Sequence, residues 1–166
     1  TVDQARGLNI GLPSLWAASF DHLDLRQDQR ILQVGAGTGY YAAVLAEIVG
    51  PQGRVVAIEV DEALAARARA NLAPWPQVEA VHGDGRTHDP GEVDVIIVFA
   101  GATHPAPLWL DRLAPGGQLL MPLTGVLGNF FVIVLAGLGG YLALAGLVSV
   151  GVIATFINYG QNFINP

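Results

Sequence analysis

Between Arg30 and Leu123, short apolar runs alternate with helical stretches, the pattern of βαβ units around a parallel sheet. Arg30-Ile31-Leu32-Gln33-Val34 reads as a strand that ends in glycine. Tyr40 to Val49 reads as a helix, apolar nearly all round and therefore packed between layers, that stops at Gly50-Pro51. Arg54 to Ile58 is the predicted second strand. Asp61 is the expected N-cap of a helix running through Ala70, with Arg67 and Arg69 on its solvent side. Pro74-Trp75-Pro76 breaks the pattern, Val78 to His82 makes a third short strand, and Val93 to Phe99 is a continuous run of the kind buried on both faces. Pro107 to Leu113 predicts a short helix and Gly117 to Pro122 a fifth strand. Trp16, Trp75 and Trp109 are expected to serve packing rather than stacking of a ligand.

After Leu123 the pattern changes to two apolar runs, Phe130 to Ala136 and Tyr141 to Thr155, separated by Gly137-Leu138-Gly139-Gly140. A glycine cluster between β-rich runs predicts a hairpin. The rival is a membrane helix, because Phe130 to Val148 has no polar side chain except the tyrosine hydroxyl and suffices to span about 30 Å as a helix. The glycines, the β-branched content and the missing Lys, Arg and Trp anchors at either end favour the hairpin.

Composition narrows the chemistry. The 166 residues include 8 Lys+Arg and 14 Asp+Glu, a net charge of -6. All the cations are arginines and cysteine is absent, so a Walker lysine, a Schiff-base lysine, a thiol nucleophile and a zinc–thiolate site are excluded. Few, scattered cations argue against a protein that grips a nucleic-acid backbone. The last charge is Arg112, leaving residues 113–166 uncharged. Thr1 is not an initiator methionine, so a processed product or fragment is expected; no signal-peptide pattern follows it, and the expected location is cytoplasmic.

The sharpest local signal is Gly35-Ala36-Gly37-Thr38-Gly39 between the first strand and its helix. Such a turn lets a ligand approach the backbone at a strand's carboxyl end, where open α/β sheets bind ligands. A dinucleotide fingerprint would place its third glycine at position 40, which is tyrosine; the observed spacing is the one associated with S-adenosylmethionine, which has no pyrophosphate to cradle. Glu59 ends the second strand, where a carboxylate accepts ribose hydroxyls, and Asp84 in Gly83-Asp84-Gly85 follows the third, where it would accept an adenine amino group. Taken singly, each has a plainer reading: a tight βα turn, a charge at a helix N-terminus, an ordinary turn. His82 and His88 flank Asp84, but no cysteine or acidic cluster completes a metal site and none is expected.

Val34-Gly35-Ala36-Gly37-Thr38-Gly39-Tyr40, Ala43-Val44-Leu45-Ala46, His82-Gly83-Asp84-Gly85, Asp94-Val95-Ile96-Ile97-Val98 and Leu113-Ala114-Pro115-Gly116-Gly117 leading to Met121-Pro122 resemble the class I S-adenosylmethionine-dependent methyltransferases, and among them the protein-L-isoaspartate O-methyltransferases. The resemblance covers about Ile10 to Gly125. It implies an α/β fold, a Rossmann-like mostly parallel sheet with a C-terminal antiparallel hairpin, in a single methyltransferase domain over 1–166. Within it, 1–29 would be an N-terminal substrate-side segment, 30–123 the cofactor-binding core and 124–166 the hairpin. It implies cofactor contacts at Gly35, Ala36, Gly37, Thr38, Gly39, Glu59, Val60, Gly83, Asp84 and Gly85, and acceptor-side positions at Gly11, Pro13, Ser14, Phe99 and Ala100. Two departures lie on the acceptor side. Gly11 stands where the family carries a serine, with Ser14 a displaced substitute, and Phe99-Ala100-Gly101 replaces the usual Thr-Ala-Ala.

The expected activity is methyl transfer from S-adenosylmethionine to an oxygen of a peptide or protein carboxylate, isoaspartyl by resemblance. One alternative is an O-methyltransferase for a small molecule or modified peptide, with His104 as general base. Another is a non-catalytic cofactor-binding module whose uncharged C-terminal third docks on a partner. That third is expected either to extend the sheet beneath the helices or to be buried against a second copy, a homodimer being the second alternative.

Overall fold

The computed structural model describes residues 13–122 together with 141, 145 and 146. The chain divides into two units, 1–100 with 105–122, and 101–104 with 123–166. In chain order the first unit contains α1 (Pro13–His22), β1 (Arg30–Val34), α2 (Tyr40–Val49), β2 (Arg54–Glu59), α3 (Glu62–Asn71), β3 (Val78–His82), β4 (Val93–Val98), α4 (Pro107–Arg112) and β5 (Leu113–Leu120).

The five strands form one sheet in the order β3-β2-β1-β4-β5, and each neighbouring pair is parallel. β1 lies at the centre, with Gln33 opposite Ala57 on one side and Ile97 on the other. Because side chains alternate across a strand, the sheet divides its apolar residues between two cores. One holds Ile31, Val55, Ala57, Val95 and Ile97 against Ala42, Leu45, Ala46 and Val49 of α2. The other holds Leu32, Val34, Val56, Ile58, Ile96 and Val98 with Ala106 and Trp109.

Local chemistry sets the helix ends. Asp61 Oδ1 accepts the Leu64 N–H at 2.9 Å, capping α3. α2 closes at Gly50, whose φ of 70° suits glycine and whose N–H donates to the Ala46 carbonyl. At the opposite end of the sheet from the glycine turn, the Arg30 guanidinium donates to Asp94 Oδ1 at 2.7 Å and to Glu92 Oε1 at 2.9 Å, tying β1 to β4.

The elements differ from the sequence reading in one helix and at several ends, β2 reaching Glu59, β4 stopping at Val98, α4 at Arg112 and β5 at Leu120. α1 was not anticipated; its signals are Pro13 at the first position and Trp16 and Phe20 four apart on one face. β5 starts at Leu113 instead of Gly117, because Leu113 pairs with Val93 before a register shift that carries Ala114-Pro115-Gly116-Gly117 out of the ladder. α3 extends one residue beyond Ala70, to Asn71. Of the expected hairpin at 124–166 and the rival membrane helix, only Tyr141, Ala145 and Gly146 lie among the described residues: Tyr141 is helical, not extended, and the Ala145 N–H donates to its carbonyl at 2.9 Å, while among the described residues no helix is long and apolar enough to cross a membrane.

Candidate active site at the carboxyl ends of the strands

Gly35, at the carboxyl end of β1, sits beside the exit of β4: a Cβ placed on it would lie 3.0 Å from the Ala100 backbone nitrogen. The Phe99 N–H donates to the Val34 carbonyl at 2.8 Å. β1 has β2 on one flank and β4 on the other, so this is the point where the winding of the sheet reverses, the place at which open α/β sheets bind ligands.

The turn is built for backbone approach. Gly35, Gly37 and Gly39 have φ of 83°, 58° and 90°, left-handed values that L side chains adopt only under strain. The Gly35 and Ala36 N–H groups both donate to the Ile58 carbonyl at 2.9 Å, which fastens the turn to β2. Gly39 meets Leu72, and a Cβ there would lie 2.9 Å from its side chain. Gly37 differs from both, since a Cβ on it would meet nothing within 4 Å. Asn71 Nδ2 donates to the Thr38 carbonyl at 2.9 Å, so α3 holds the outer side of the turn.

Glu59 ends β2 and is only 8% exposed. Its Oε2 accepts the Gly37 N–H at 2.7 Å and its Oε1 accepts the Asp61 N–H at 3.0 Å. Each carboxylate oxygen retains acceptor capacity beyond the bond it makes here. Val60, next along, is 71% exposed, and its carbonyl lies 3.2 Å from His82 Nε2.

The Gly83-Asp84-Gly85 turn is held against the same strand ends. Gly83 N–H donates to the Glu59 carbonyl at 2.9 Å, and a Cβ on Gly85 would come within 2.6 Å of Val34 Cγ1. Asp84 accepts the Arg86 backbone N–H at 2.9 Å and the guanidinium through both oxygens, with Nη2 at 2.7 Å. Those bonds hold the Asp84 carboxyl down to about 2. Beneath the turn, the Trp109 indole N–H donates to the Gly85 carbonyl at 2.6 Å.

On the β4 side, Phe99 stacks on Tyr41 with ring centroids 4.9 Å apart, and Trp16 of α1 packs on Phe99 at 3.9 Å. The Tyr41 hydroxyl and Gln33 Oε1 are buried without a partner; burial pushes the Tyr41 hydroxyl up, and neighbouring Tyr40 adds to the shift. Pro13 and Ser14 open α1 and are exposed, as is Ala100, whereas Gly11 lies outside the described residues. His104 belongs to the second unit and is exposed, its Nδ1 3.0 Å from Thr103 Oγ1. The described residues contain no cluster of three or more metal-ligating side chains.

The structure thus brings the glycine turn, Glu59 and the Asp84 turn together. It adds Asn71, Arg86 and Trp109, which motif reading missed. Arg86 was detectable as the residue after Gly83-Asp84-Gly85; Asn71 and Trp109 act from 33 and 24 residues away and carry no local signal.

The chain matches the family model for protein-L-isoaspartate(D-aspartate) O-methyltransferase over residues 3–134. It is 41% identical over 123 residues to a protein-L-isoaspartate O-methyltransferase of Methanopyrus kandleri, covering 71% of this chain and 54% of that one. It is 42% identical over 122 residues to protein-L-isoaspartate O-methyltransferase 2 of Archaeoglobus fulgidus, covering 70% and 55%. The chain therefore spans about half the length of the curated relatives it matches. Among solved structures, a protein-L-isoaspartate O-methyltransferase superposes with a TM-score of 0.64 at 33% identity over 66% of this chain and 36% of that one. An S-adenosylmethionine-dependent O-methyltransferase of Thermotoga maritima gives 0.59 at 28% identity over 72% and 48%. The matched span takes in the glycine turn, Glu59, the Asp84 turn and all five strands, and on this ground the chain belongs to the protein-L-isoaspartate(D-aspartate) O-methyltransferase family.

Proposed function

We propose that this chain binds S-adenosylmethionine at the carboxyl ends of β1 and β2, beside the exit of β4, and acts, as a cytoplasmic enzyme, to methylate a peptide or protein carboxylate, isoaspartyl by family. The carrying observation is Gly37: a left-handed backbone facing open space, with its N–H fixed by the buried carboxylate of Glu59. The residues fit the cofactor by the chemistry of their donors and acceptors. Gly35, Ala36, Gly37, Thr38 and Gly39 offer backbone without side-chain obstruction at Gly37, and Glu59 offers acceptor capacity for ribose hydroxyls. Asp84, held ionised by Arg86, offers an acceptor for an amino group, and exposed Val60 an apolar surface for a ring.

S-adenosylmethionine supplies, when bound, a methyl group on a sulfonium, open to in-line displacement. This chain's contribution is placement. Alignment of two reactants replaces a bimolecular encounter and accounts for much of the rate in such displacements. An acceptor carboxylate is already ionised near neutrality and needs no base, which suits a sequence without Lys or Cys. Phe99, packed against Trp16 and Tyr41, gives the acceptor side an apolar wall where the family usually carries threonine. A homodimer through the C-terminal third is an alternative part of this reading; of residues 123–166 the structure describes 141, 145 and 146.

The test is mass spectrometry of an isoaspartyl peptide after incubation with the chain and S-adenosylmethionine. A single base-labile methyl is the expected product. A base-stable methyl would favour the hydroxyl-directed alternative, and binding without transfer the non-catalytic one.

A further inference from the structure

The Gly83-Asp84-Gly85 turn is gripped from two directions of unequal character. Arg86 holds the Asp84 side chain from the solvent side, where its own side chain is 75% exposed. Trp109 holds the Gly85 carbonyl from beneath, at 2.6 Å, from a side chain 2% exposed. A buried indole N–H demands a partner, and α4 could have packed an aliphatic residue here; the tryptophan directs its one donor across 24 residues of sequence into the turn. Gly85 is itself pressed on Val34, so its carbonyl has little room to reorient around that bond. A second link from α4, between Arg112 and both oxygens of Asp89, reaches the same loop beyond the turn and is exposed.

We propose that Trp109 is a positioning residue for the cofactor's base: by fixing the Gly85 carbonyl it sets the turn on which Asp84 meets the exocyclic amino group of adenine. This rests on the reading of the site as an S-adenosylmethionine site and goes beyond it. Selectivity for the amino group then depends on a bond made by α4, which does not itself touch the base. Arg112 anchors the loop without setting that selectivity.

The experiment compares the affinities of the full chain for S-adenosylhomocysteine and for S-inosylhomocysteine, in which a carbonyl replaces the amino group. A site that hydrogen-bonds the amino group should prefer the former by about tenfold or more. Trp109→Phe keeps an aromatic ring and removes the N–H; it should reduce the preference to about threefold or less, while Arg112→Gln lowers thermal stability and keeps the preference. If Trp109→Phe weakens both ligands equally, or leaves both unchanged, the residue is structural and the proposal is overturned. Should Trp109→Phe fail to fold, the benzothiophene isostere at position 109 removes the N–H alone and is judged on the same ratio. Wild-type chain that binds S-adenosylhomocysteine but shows no preference overturns this proposal alone. Wild-type chain that binds neither ligand overturns the cofactor reading with it.

Discussion

At Gly37 an unusual backbone conformation and open space coincide, and the two have separable effects. A side chain in the left-handed region costs roughly 1–2 kcal/mol of stability, and a branched one also fills the space before the backbone. Gly37→Val should therefore lower the melting temperature only modestly while reducing S-adenosylhomocysteine affinity by at least about a hundredfold in calorimetry; unchanged affinity would remove the turn from the site. Glu59→Ala deletes an acceptor that also holds the Gly37 and Asp61 N–H groups. Charge-assisted bonds of this kind are worth about 1.5–3 kcal/mol each, so a loss of affinity of roughly tenfold or more is expected, and one below about threefold would contradict the ribose role. His104 follows β4 but is exposed and belongs to the second unit. If the acceptor is a carboxylate, His104→Ala should keep most of the activity; a loss of about a hundredfold or more in a folded variant would transfer the case to a hydroxyl acceptor and a histidine base.

The elements carry the site through their ends. Asp61 caps α3, α3 in turn supplies Asn71 to the Thr38 carbonyl, and its C-cap residue Leu72 lies against Gly39. Asp61→Ala should destabilise the chain by about 0.5–2 kcal/mol, the usual cost of losing an N-cap, measurable by urea denaturation. No loss would mean that the cap is redundant. The interiors of β1, β2 and β4, by contrast, are apolar on both faces, as expected of a parallel sheet covered by helices, with Gln33 of β1 the buried polar exception, whereas the edge strand β3 exposes Glu79. α4 shows how a short element gains leverage: Trp109 and Arg112, one turn apart, bind two points of the loop that follows β3.

For the molecule as a whole, acid stability follows from carboxylates paired with arginines. Arg30 holds the Asp94 carboxyl below its ordinary value, and Arg86 and Arg112 bring Asp84 and Asp89 down to about 2. A depressed carboxyl binds its proton more weakly folded than unfolded. Its contribution is complete above the unfolded value, near 4, and is lost as pH falls through the folded value. Stability should fall between about pH 4 and pH 2, with a shallower fall in Asp94→Asn, whose stability near neutrality is already reduced; a parallel pH profile in that variant would show that the Arg30 pair contributes nothing. Most of the first unit's architecture was legible in the sequence because its determinants are local: the periods of apolar residues, the glycines and prolines that end elements, and the Asp61 cap. β1, α2 and β3 have the predicted bounds, and the glycine turn, Glu59 and Asp84 stood out because each closes a strand. The strand order β3-β2-β1-β4-β5 was not legible, since hydrophobic pattern does not specify which strands are neighbours. The start of β5 and the roles of Asn71, Arg86 and Trp109 were decided by tertiary structure. A register shift depends on the partner strand, and a hydrogen bond between Trp109 and Gly85 exists only once the sheet has brought α4 beneath the turn.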